Sequence, residues 1–129
     1  MKRTIVKTAG APVPLGPYSQ GVLVEGGRTL YIAGQVPVDP QTGHLVGDGD
    51  IRAQTERVLD NIGAILQEAG MGFNDLVKVG IFIVNFDDFG DVNEIYGSRF
   101  SDSPPARTTV QIARFPIGFL IEIDAVAVA

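Results

Sequence analysis

The chain has 129 residues, 45% of them apolar and 19% charged, with no cysteine and a formal net charge of −5. Those figures fit one globular domain spanning residues 1–129 and exclude a disulfide scaffold, thiolate chemistry and a disordered polypeptide. The acidic balance argues against a general nucleic-acid binder, and no apolar run approaches the roughly 20 residues of a membrane span.

From the N-terminus, Met1 to Lys7 carries basic residues without the apolar run of a signal peptide, so a cytoplasmic location is expected. Gly10 to Pro17 is an irregular arm, because Pro12, Pro14 and Pro17 block both helix and central strand. Gly21 to Val24 and Thr29 to Ala33 read as strands flanking the turn signal Glu25-Gly26-Gly27-Arg28, which predicts a hairpin. Val36 to Val38 is a short extended piece, and Asp39-Pro40-Gln41-Thr42-Gly43 is a turn.

Ile51 to Ala69 carries the clearest helical pattern. Ile51, Thr55, Val58, Leu59, Ile62, Ile65, Leu66 and Ala69 form one stripe, with Asp50 as N-cap and Gly70 as stop. Val77 to Val84 is apolar on both faces, as a central strand requires. A second helix opens at Asp87 or Asp88, with Phe89, Val92, Tyr96 and Phe100 on one side. Two strands close the chain, Pro105 to Gln111 and Phe119 to Val126, expected to pair through the short loop Arg114 to Gly118. The order β-β-α-β-α-β predicts an α+β domain with helices on one face of a mixed sheet. The other face would be bare in a monomer. It is expected to carry Leu120, Val126 and Val128 beside Arg107 and Glu122, and so to associate.

Side chains alternate along a strand, so Arg107, Thr109 and Gln111 share one face, as do Glu122 and Asp124. If the two C-terminal strands pair, the arginine fork lies near the carboxylates. Two outcomes follow: a structural ion pair, the commoner result on spacing alone, or a site for a small acid. Tyr18 either packs its ring over the arm or closes a pocket. Gly34 ends a strand where a ligand could approach the backbone, or simply turns the chain. Asn93 bonds either a loop or a ligand from inside the second helix. His44 is the only histidine and is expected at the surface. No metal-ligand set and no nucleophile–histidine pair are present in the sequence.

The motifs taken together resemble the reactive intermediate deaminase family, RidA, also called YjgF-like or L-PSP proteins. The resemblance runs over essentially the whole chain. It is carried by Gly16-Pro17-Tyr18-Ser19-Gln20, by Ala33 through Gly43, by Gln54-Thr55 and Leu59 to Ile62, by Asp88-Phe89 through Val92-Asn93 and Tyr96, by Pro105-Ala106-Arg107 and by Ile121-Glu122-Ile123. It implies a chorismate-mutase-like fold and a homotrimer with pockets between subunits. It also implies cofactor-free hydrolysis of 2-imino acids and enamines to 2-keto acids and ammonia. By that likeness Arg107 binds the substrate carboxylate and Glu122 handles the attacking water, while Tyr18, Asn93 and the backbones of Gly34 and Thr109 shape the pocket. Three positions depart from the usual pattern: Thr109 where many members have cysteine, Asp124 where glutamate is common, and Ala33 where a hydroxyl residue is frequent. The alternatives are a non-catalytic trimer that binds 2-keto acids and, on the label some relatives carry, a ribonuclease or translation inhibitor.

Overall fold

A computed structural model describes residues 1–101 and 103–129. In chain order the elements are β1 (Lys2–Val6), β2 (Gly21–Glu25), β3 (Thr29–Gln35), α1 (Ile51–Glu68), β4 (Leu76–Ile83), α2 (Phe89–Gly97), β5 (Ala106–Gln111) and β6 (Ile121–Val128). All the expected helices and strands are present, preceded by β1; with two closing strands the series runs one strand beyond β-β-α-β-α-β. β1 goes unread in the sequence because Lys2-Arg3-Thr4 offers no apolar alternation.

Two pairings differ from expectation. β2 does not close a hairpin with β3. It pairs antiparallel with β1, whereas β3 joins a four-stranded sheet of order β3-β6-β4-β5. Gly26 and Gly27 take φ of 75° and 85° and bend the chain, but the strands on either side find other partners. The second difference concerns β5 and β6, which are not neighbours. β4 lies between them, parallel to β5 and antiparallel to β6. A parallel neighbour needs a crossover, and α2 supplies it between β4 and β5.

α1 forms where its stripe predicts. The Asp50 carboxylate accepts hydrogen bonds from the backbone N–H groups of Arg52 and Ala53, each at 3.1 Å. Beyond Glu68, Gly70 takes φ of 74°, and the Met71 N–H returns to the Leu66 carbonyl at 2.8 Å, ending the helix. α2 begins at Phe89. Asp88 stands at its N-cap position without a side-chain capping bond, while the Asn85 side chain accepts from the Asp87 N–H and caps the preceding 3-10 turn. Phe100 lies past the end of α2, yet its ring still packs on Tyr96 with centroids 4.9 Å apart.

The core lies between the helices and one sheet face. Val58, Leu59, Ile62 and Leu66 of α1 meet Val79, Ile81 and Ile83 of β4 and Ile121, Ile123 and Ala125 of β6, all buried. Within it sits a buried amide. Gln54 Nε2 donates to the carbonyls of Gly47 (3.0 Å) and Gly118 (3.1 Å), and its Oε1 accepts from the Leu120 N–H (2.7 Å). Gln54 thereby ties the start of α1 to the loop entering β6. Gln54→Leu is expected to cost about 3 kcal/mol in urea unfolding, because three part-buried hydrogen bonds to the backbone are lost. A loss under about 1 kcal/mol would show that the tie contributes little.

Candidate functional site

β5 supplies the first half of the site. Register places Arg107 opposite Val79 and Thr109 opposite Ile81, so both side chains lie on the helix-covered face. Arg107 reaches beneath α2 and the N-terminal arm. Its guanidinium carbon stands 5.2 Å from the ring centre of Tyr96, 5.3 Å from Tyr18 and 5.7 Å from Phe89. Phe89, Asn93 and Tyr96 are one and two turns apart on α2, which turns them toward the same place. Gly16 of the arm closes over the group. A Cβ there would stand 3.3 Å from Arg107 Nη2 and 3.4 Å from Asn93 Nδ2. The arm is itself pinned: Gln20 Oε1 accepts from the Thr8 N–H, and its Nε2 donates to the carbonyls of Thr8, Ala11 and Pro12. Ser19 bonds the carbonyls of Pro104 and Pro105 beside the start of β5.

Of the two outcomes open for Arg107, the ion pair is absent. Among the described residues Arg107 pairs with no carboxylate; the ion pairs belong to Arg52 and Arg99. Arg107 Nη1, Asn93 Oδ1, Tyr96 Oη and Thr109 Oγ1 are all buried without a hydrogen-bond partner. Burial pulls the Arg107 guanidinium below its ordinary value, opposed by the electrostatic influence of Tyr96 and Tyr18. Burial pushes the Tyr96 phenol well above its ordinary range, so it stays neutral and forms no phenolate partner for the arginine. A cleft of about 300 Å3 opens at this point, lined by Leu15, Tyr18, Phe86, Phe89, Arg107 and Thr109. A half-buried cation with an unused fork, set in an apolar cleft, is complementary to a small anion with planar oxygens.

The carboxylates lie elsewhere. Glu122 is opposite Phe82 and Asp124 opposite Gly80, on the face turned away from the helices. The expectation that Arg107 and Glu122 share a sheet face is therefore corrected. Alternation was read correctly along each strand, but the intervening β4 puts the two sets on opposite faces. Arg107 is likewise not on the open face beside Val126, and Leu120 packs against the core instead. That open face still carries Tyr31, 79% exposed.

Gly34 has a packing reason to be glycine. A Cβ there would overlap the Glu122 carboxylate, and one at Gly80 would overlap that of Asp124. Gly34 falls within a bulge of β3, where the pairing jumps from Ile32↔Ala125 to Gln35↔Ile123. The bulge and the missing side chain let Glu122 lie across the strand. His44 is exposed. Among the described residues no group of histidines and carboxylates is placed to hold a metal, and no helix is long and apolar enough to cross a membrane.

Phe89 and Tyr96 were legible only as an apolar stripe. Their i, i+7 spacing with Asn93 between them was the signal that they face one group. Gly16 offered none beyond its place in the arm.

An α+β domain of two helices on a mixed sheet is the fold of the RidA/YjgF-like proteins. The family model for endoribonuclease L-PSP matches residues 8–129, and the chain belongs to that family. A RutC family protein of Pyrococcus abyssi is 46% identical over 127 residues, covering 98% of each chain. The mouse 2-iminobutanoate/2-iminopropanoate deaminase is 45% identical over 126 residues, covering 98% of this chain and 91% of the other. Among solved structures, the Rid family protein YyfB of Yersinia pestis superposes with a TM-score of 0.89 at 31% identity, covering all of both chains.

Proposed function

We propose that the protein is a deaminase that hydrolyses 2-imino acids and their enamine tautomers to 2-keto acids and ammonia. The observation that carries this reading is the uncompensated Arg107 fork in its cleft. Arg107 binds the substrate carboxylate. Tyr18, Asn93 and Thr109 border the bound molecule. Glu122, bedded over Gly34, polarises a water that adds to the imine carbon. The carbon–nitrogen bond of the resulting carbinolamine then breaks, the nitrogen leaves as ammonia with the proton Glu122 returns to it, and the carbonyl of the keto acid forms. The name of the mouse relative supports the same reaction.

Arg107 and Glu122 lie on opposite faces of one sheet, so a single chain does not bring them to one molecule. We place them together between copies, in a homotrimer whose pockets take the arginine from one subunit and the glutamate from its neighbour. The reaction needs no cofactor, and the partners are small 2-imino and 2-keto acids of the cytoplasm. The endoribonuclease in the family name is not adopted: a net charge of −5 and a single exposed histidine equip the chain poorly for RNA cleavage.

The test couples a serine or threonine dehydratase to this protein and follows keto-acid release against semicarbazide trapping of the imine. Faster keto-acid release with less trapped imine is expected. Saturable 2-ketobutyrate binding with no change in imine lifetime would replace the deaminase by a non-catalytic binder.

A further inference from the structure

A guanidinium withdrawn from water ordinarily takes a carboxylate partner, and Arg107 takes none among the described residues. Three aromatic rings stand where the carboxylate would be, each with its centre within 5.7 Å of the guanidinium carbon. Tyr96 is fully buried and forms the inner wall. Phe89, stacked on Phe86 with centroids 5.2 Å apart, forms another, and Tyr18 of the arm a third. Ring faces attract a cation through their quadrupole without neutralising its charge or occupying its donors in-plane. A carboxylate in the same place would fill the fork.

We propose that this three-ring cage substitutes for a counter-ion, with Tyr96 and Phe89 as positioning residues that hold Arg107 charged, oriented and free for the carboxylate of a ligand. This rests on the reading of Arg107 as a carboxylate anchor. The ring, not the hydroxyl, is the working part of Tyr96, because its Oη has no partner. The cage also sets a requirement on the ligand. It must bring its own planar anion, so amides and esters of the same 2-keto acids are rejected.

Calorimetric titration with 2-ketobutyrate and with 2-ketobutyramide, alongside imine turnover and melting temperature, tests this. Tyr96→Phe keeps the ring and is expected to leave the 2-ketobutyrate Kd within about twofold, with a melting temperature at or above that of the parent. Tyr96→Leu and Phe89→Leu are each expected to raise Kd and KM roughly tenfold while kcat at saturation changes little. A merely structural role would lower the melting temperature and leave Kd alone, and that result in both leucine variants overturns the cage. A phenylalanine variant as weak as Tyr96→Leu overturns it too, by assigning the effect to the hydroxyl. If Tyr96→Leu does not fold, Phe89→Leu on the more accessible side decides the matter. Equal binding of the amide and the acid by the parent protein overturns the anchor reading and the cage with it. Tight parental binding of the acid, unaltered in the leucine variants, overturns the cage and leaves the anchor standing.

Discussion

Arg107→Met is expected to lose about 10^2- to 10^4-fold in kcat/KM for imine hydrolysis while the protein melts no lower than before. The loss follows from the fork: each hydrogen bond to a charged group contributes about 1.5–3 kcal/mol, two are lost, and 1.36 kcal/mol is a factor of ten. The stability follows from the surroundings. Arg107 makes no ion pair, and its Nη1 is buried without a partner. Removing it strands no carboxylate and relieves the desolvation of a cation. An apolar chain of similar length keeps contact with Tyr18, Phe89 and Tyr96. The ion-pair alternative predicts the opposite sign, since breaking a buried pair costs about 3–5 kcal/mol. Thermal melting and steady-state kinetics on the same preparation separate the two. Substantial destabilisation with turnover intact would make the arginine structural.

Mixing two dead variants is expected to restore activity. Arg107→Met chains lack the anchor and Glu122→Gln chains lack the base, and each homo-oligomer is expected to turn over slowly, the latter while still binding 2-ketobutyrate. In a trimer whose pockets take Arg107 from one subunit and Glu122 from the next, every mixed trimer of the two chains rebuilds one intact pocket, roughly a third of positions. Co-expression under two affinity tags, with purification of the mixed species, yields the sample. Recovery of roughly that fraction of parental kcat supports the composite pocket. A mixed oligomer as inactive as its parents would mean that both groups act within one chain. That outcome would demand a large rearrangement of the sheet, because β4 stands between β5 and β6 and the two side chains leave opposite faces.

The helices and the strand interiors were readable because each rests on local periodicity. α1 has a stripe, an acidic cap and a glycine stop, and all three act where the sequence puts them. β4 carries Val79, Ile81 and Ile83 at alternate positions and lies inside the sheet, although Lys78 on its other face is exposed. Pairing was less readable, since it depends on residues far apart in the chain. Gly26-Gly27 bends the chain but does not choose β3's neighbour, and the short loop before β6 hides the insertion of β4 between β5 and β6. The same limit applied to the site. Arg107 and Glu122 stood out by type and alternation, but which face each strand presents is a property of the sheet order. Of the three rings around Arg107, Phe89 and Tyr96 were visible only as one side of α2, because the sequence alone does not show a cation arriving from another strand.

The glycine beneath Glu122 has a consequence for how such a scaffold changes over time. Gly34 and the bulge of β3 hold the carboxylate, whereas the arginine answers to α2, Gly16 and the arm. The two groups share no supporting side chain among those described here. Substitutions in Leu15, Phe86 or Phe89 can reshape the cleft while the bed of Glu122 stays as it is. On the proposed deaminase reading, recognition and chemistry are thus separately adjustable parts of one small sheet, and descendants of such a chain can drift in what they accept while keeping the bed of Glu122.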